Sequence, residues 1–131
     1  MLTSVPAVAQ DWAELRDKLF DTADDSFDDQ GFRPSGFVHE GSLEDGDGER
    51  VTVRIGSGAN LILVGICDAD CSDLGLTLYD PDGDLVDSDV LTDDIPMITI
   101  EGGRSGSYTV AVQMAECTID PCRYAIQTYT R

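Results

Sequence analysis

The chain has 131 residues, 41% of them hydrophobic, which fits one ordinary globular domain and is more apolar content than a disordered segment would carry. Its 26 Asp and Glu against 8 Lys and Arg give a formal net charge of −18, a surface that repels phosphate backbones and anionic headgroups. Nucleic acid and membrane surfaces are thereby disfavoured as partners, while cations, basic proteins and neutral glycans are not; solubility alone, or a salty habitat, would also account for the acidity.

In chain order, Pro6-Ala7-Val8-Ala9 before Gln10 has the small-x-small form cut by signal peptidase, so residues 1–9 are expected to be the remnant of a signal peptide. No run approaches the roughly 20 apolar residues of a membrane span. Asp11 is a plausible N-cap for a helix in which Trp12, Leu15, Leu19 and Phe20 share one face, ending near Thr22. That apolar stripe would lie on the rest of the domain or on a partner. The segment Ala23 to Gly36 collects Asp24, Asp25, Asp28 and Asp29 with Gly31 and Pro34 and reads as a solvated acidic linker, so residues 10–35 form an N-terminal helix and arm.

From residue 36 to 131 the pattern changes to short alternating runs divided by turn residues, the signature of a sandwich or barrel. Strands are expected at Gly36 to Leu43, Val51 to Ile55, Leu61 to Ile66, Gly75 to Tyr79, Leu85 to Val90, Met97 to Ile100, Ser107 to Met114 and Tyr124 to Tyr129. Val51, Val53 and Ile55, and Tyr108, Val110, Val112 and Met114, would face inward. Leu61 to Ile66 is apolar everywhere but Gly65, which predicts a central strand covered on both sides. Glu44 to Gly48, Asp80-Pro81-Asp82-Gly83 and Glu101 to Gly106 supply the Gly, Asp and Pro of tight turns. No βαβ alternation appears. The expected fold is all-β: an antiparallel, jelly-roll-like β-sandwich of about eight strands with one short N-terminal helix.

The four cysteines form two close pairs, Cys67 with Cys71 and Cys117 with Cys122, which suits disulfides in an oxidising compartment. The spacings match zinc knuckles poorly. Three connectivities are open; two local staples need the least chain closure.

Chemistry is sparse by comparison. His39 is the only histidine and falls in an expected strand, no G-x-S-x-G elbow is present, and proximity among 26 acids says little about paired carboxylates. Calcium, which takes six to eight oxygens, is the better prospect. Asp80-x-Asp82-Gly83-Asp84 fails as an EF-hand because Leu85 and Leu91 fall where Gly and Glu belong, and a loop starting at Asp68 fails at Asp73 and Tyr79. Candidate ligands of an irregular calcium site are Asp68, Asp70 and Asp73 beside the first cysteine pair, and Asp87, Asp89, Asp93 and Asp94 around the next turn, with Asp89 and Asp93 foremost. Solvated turn residues are the default for all of them.

The run from Cys67 to Gly83 (CDADCSDLGLTLYDPDG) resembles a segment of bacterial pre-peptidase C-terminal (PPC) domains and their stand-alone relatives. Asp93-Asp94-Ile95-Pro96, Gly106 to Val112 and Cys117 to Tyr124 follow in that family's order, so the similarity covers roughly Gly41 to Tyr129. Gly75 departs from it, since relatives commonly carry a further Asp there. The resemblance implies an antiparallel β-sandwich in secreted bacterial proteins, often appended to peptidases, with no catalytic residues; the related collagen-binding domains of clostridial collagenases bind calcium and an extended protein ligand. The expected function is a periplasmic or secreted, non-catalytic module for a protein or glycan, with calcium as a candidate cofactor. The alternative is a self-assembling surface protein, a homo-oligomer docking through its N-terminal segment.

Overall fold

The computed structural model describes residues 7–91 and 94–131, with side chains from Trp12 onward. The first six residues, which hold most of the expected leader remnant, and Asp93 lie outside the described residues. The elements are α1 (Ala7–Asp28), β1 (Arg33–Leu43), β2 (Gly48–Ile55), β3 (Leu61–Cys67), β4 (Cys71–Tyr79), β5 (Leu85–Asp89), β6 (Met97–Ile100), β7 (Gly106–Cys117) and β8 (Cys122–Thr130).

The strands form two antiparallel sheets, ordered β1-β8-β3-β6 and β2-β7-β4-β5. The pairings nest: β4 with β5, β3 with β6, β2 with β7 and β1 with β8. One long antiparallel ribbon is thus rolled over itself, which is the jelly roll. Alternation does what the sequence implies. Val51, Val53, Ile55, Tyr108, Val110, Val112 and Met114 of one sheet meet Leu61, Leu63, Ile98, Ile100, Tyr124 and Ile126 of the other in the inter-sheet core. Gly65 lets the sheets pack closely, for a Cβ there would sit 3.2 Å from Leu74, Leu76 and Pro96 side chains.

Every residue of β3 is buried because its two faces are covered by different layers. Leu61 and Leu63 point into the sandwich, whereas Ile62, Val64 and Ile66 form a second cluster with Trp12, Phe20, Phe27 and Phe32. The helix is that second cover. Its apolar stripe is taken up by its own chain, with Tyr129 of β8 against Phe27 at a ring separation of 4.8 Å.

The helix corrects two expectations. It continues past Thr22 to Asp28, with Asp11 inside it rather than at its cap, and β1 begins at Arg33, so the acidic stretch is not a free linker. The cause is Phe27, which extends the stripe of Trp12 and Phe20 by two turns, and burial of that stripe outweighs the low helix propensity of the Asp and Ser residues. The stop lies at Gly31, with φ of 84°. Its N–H donates to the Asp28 carbonyl at 2.9 Å and the N–H of Phe32 to the Phe27 carbonyl at 3.0 Å, a Schellman end closed by the Phe27–Phe32 contact.

Candidate functional site: one end and one edge of the sandwich

Both disulfides are local, Cys67–Cys71 and Cys117–Cys122. Each spans a passage of the chain from one sheet to the other, β3 to β4 and β7 to β8, and Cys71 stands opposite Cys117 in the register. The two staples therefore clip the same end of the sandwich. Carboxylates stitch the loops around them. Asp68 is buried and accepts from the backbone N–H of Asp70 at 3.1 Å and of Arg123 at 2.8 Å. Asp45 accepts from the Cys117 N–H at 2.8 Å, and its own N–H donates to Asp120 at 2.7 Å.

Of the candidate calcium ligands, Asp68 and Asp89 spend carboxylate oxygens on backbone N–H groups. Asp70 offers its backbone carbonyl to Thr118 through both the N–H, at 2.9 Å, and the hydroxyl, at 3.0 Å. Asp89, at the end of β5, accepts from the N–H of Met97 at 2.9 Å and of Leu91 at 3.4 Å, clamping the β5–β6 loop. Among the described residues no three His, Cys, Asp or Glu side chains converge on one point. Asp73 differs from the rest: at an irregularity of β4 opposite Glu116, its Oδ1 is shielded from solvent and has no hydrogen-bond partner among the described residues. A cation or a water would relieve that oxygen.

His39 lies on β1, an edge strand as its place in the sequence suggests, and has two polar neighbours. Its Nε2 lies 3.1 Å from the Tyr124 hydroxyl and 3.7 Å from Glu49 Oε1, and the same hydroxyl donates to Glu49. Gly41 makes the room, since a Cβ there would lie 2.7 Å from Glu49 and 2.9 Å from Tyr124. The group crosses the open edge between β1 and β2 and joins the two sheets there. Burial first, then the bond to Glu49, raises the Tyr124 phenol above the usual tyrosine value. On the opposite face of β8, Tyr129 donates to Asp24 at 2.5 Å and accepts from Gln127 at 2.7 Å, tying helix to sheet. Burial, then Asp24, raises its phenol as well.

The edge formed by β5 and β6, each the last strand of its sheet, is built differently. Among the described residues eight large hydrophobic side chains are exposed, and six of them, Leu85, Val86, Val90, Leu91, Ile95 and Met97, fall in this one stretch. Met97 and Ile95 also border an apolar groove of about 240 Å³ that Leu19, Ala23, Phe27 and Val64 line from the helix side. Acidic side chains surround the edge. Arg104 pairs with Asp80 and Asp82 at 3.3 and 3.1 Å, but Asp84, Asp87 and Asp94 have no cationic partner among the described residues. Edge strands normally carry charge rather than aliphatic surface, since an apolar edge invites association. Sequence reasoning missed this edge, because the exposure of Leu85 or Met97 depends on which strands end the sheets.

No helix among the described residues is long and apolar enough to cross a membrane. No family profile and no curated protein matches the chain. Among solved structures there is a partial likeness to Aeromonas hydrophila PliG, described as a periplasmic lysozyme inhibitor of g-type lysozyme. It is 15% identical with a TM-score of 0.46, over 70% of this chain and 84% of that one.

Proposed function

We propose that the chain is a non-catalytic module of an exported protein that holds a protein partner on its β5–β6 edge. The observation that carries this reading is the concentration of exposed aliphatic side chains between Leu85 and Met97 on a chain of net charge −18. A surface so charged has little reason to expose aliphatic groups in one place unless something covers them. The unpaired carboxylates of Asp84, Asp87 and Asp94 select a partner of basic character and speed its approach. Two disulfides suit an oxidising compartment, periplasmic or extracellular. The same reading groups the chain with the PPC domains, on the cysteine motifs and the order of sequence segments quoted above. Calcium enters it only through Asp73, whose shielded oxygen lacks a donor.

The test is capture from a native cell-envelope extract, followed by calorimetry with the purified captured protein. Wild type is expected to bind, and the Leu91→Glu/Met97→Glu variant to bind at least tenfold more weakly. Val38→Glu, an exposed position on β1 at the opposite edge, is expected to leave affinity unchanged. Equal binding by wild type and the Leu91→Glu/Met97→Glu variant would remove the reading.

A further inference from the structure

The outer face of the β1-β8-β3-β6 sheet is covered by α1, but no described helix covers that of the β2-β7-β4-β5 sheet. Its outward positions follow from alternation, since the residues between them point into the core. Across β2, β7 and β4 they include every second residue from Gly48 to Arg54, from Ser107 to Gln113 and from Gly75 to Tyr79. None of these is Asp or Glu and two are arginines, while Asp73 and Glu116 continue the β4 and β7 rows toward the stapled end.

Neither arginine has a carboxylate partner among the described residues. Arg16 and Arg104 are each bonded to acidic side chains. Arg50 instead lies over the Tyr79 ring, 5.5 Å from its centroid, and Arg54 donates to the Ser107 hydroxyl at 3.2 Å. The register explains the first contact. Arg50 stands opposite Ala111, and Tyr79 opposite Thr109, so the small side chains of β7 let the guanidinium reach across that strand to the ring. The result is a floor of Thr52, Thr77 and Thr109 carrying one aromatic ring, with two guanidinium groups rooted on β2 about 13 Å apart along the strand.

We propose that this face is a binding site for an oligosaccharide of uronic acids. Each guanidinium offers a planar fork for a sugar carboxylate, the threonine hydroxyls match sugar hydroxyls, and Tyr79 holds the Arg50 fork in place through its ring. A peptide fits less well. β7 and β4 are hydrogen-bonded to strands on both sides, so an incoming strand could pair only at the β2 or β5 edge and not along the floor itself. The repulsion from the remaining carboxylates acts through solvent and is screened beyond about 8 Å at physiological ionic strength, so a short oligomer on this strip is not prevented from docking.

The experiment is calorimetric titration of the full chain with a short oligogalacturonate, a neutral oligosaccharide of the same length and a polyglutamate peptide, with amide NMR spectra to place the contact. The oligogalacturonate is expected to bind and to shift amides of Thr52, Thr77 and Thr109. Arg50→Gln/Arg54→Gln should weaken it at least tenfold and Tyr79→Ala severalfold, with unchanged thermal midpoints because these positions are outward-facing. Leu91→Glu/Met97→Glu should leave oligogalacturonate affinity as it is, which separates this site from the protein-binding edge. The proposal is overturned if oligogalacturonate does not bind, if the arginine variant binds it as wild type does, or if its shifts lie elsewhere. It is equally overturned if the neutral sugar or polyglutamate binds as tightly.

Discussion

Raising the pH should separate the layers of this protein in a way that two hydroxyl groups control. Tyr124 and Tyr129 are fully buried and donate to Glu49 and Asp24, so both phenols hold their protons above the usual tyrosine value of about 10. In the unfolded chain they ionise near pH 10. Because the folded-state value is the higher one, the stabilisation is complete below pH 10 and is lost as the pH climbs beyond it. Each such tyrosine removes about 1.4 kcal/mol per pH unit once the unfolded chain is ionised, so the pair should cost about 3 kcal/mol between pH 9 and 11. For a domain of this size that is a fall in Tm on the order of 10 °C. The background is favourable, since Lys18 is the only lysine and the four cysteines are oxidised. Thermal unfolding followed by circular dichroism at pH 8 to 11 reads the slope. Tyr124→Phe and Tyr129→Phe should each start from a lower Tm and lose about half of the slope, and the double variant most of it. A double variant that falls as steeply as the parent would refute the assignment of these two phenols as the links between layers.

Replacing Cys117 and Cys122 together by Ala should lower stability by about 2 kcal/mol, the chain entropy of so short a loop, measured by urea unfolding; no change would mean the staple is not formed in the native protein. Asp68→Ala should cost about 1–3 kcal/mol, because it strips acceptors from two N–H groups at the stapled end. That loss should be the same in EDTA and in millimolar calcium, and a loss seen only with calcium would make Asp68 a metal ligand instead.

Much of the sandwich was readable in advance because β-structure writes itself with a period of two. All eight strands fall where alternation and turn residues put them, and the uninterrupted apolar run of β3 foretold a cover on each side, although not that α1 would be one of them. Local sequence ends the helix too early because Asp24, Asp25 and Asp28 suggest solvent, while Phe27 decides the matter by packing in one cluster with Ile62 and Tyr129 far along the chain. The acidic loops were visible as clusters but their roles were not. Asp68 and Asp89 cap backbone amides, and this depends on strand ends that sequence spacing does not locate. His39 looked solitary because its partners Glu49 and Tyr124 arrive from neighbouring strands of both sheets. The aliphatic edge was hidden for the same reason, since alternation identifies two faces of a strand but not which strands have a missing neighbour.

Amide hydrogen exchange of the complex with the captured partner is the measurement closest to the functional reading. Slowed exchange is expected at β5, β6 and the loop between them, residues 85–100, with β1 and the exposed side of α1 exchanging as in the free chain. Protection falling on β1 or α1, with residues 85–100 unaltered, would contradict the assignment of the aliphatic edge as the partner-binding surface.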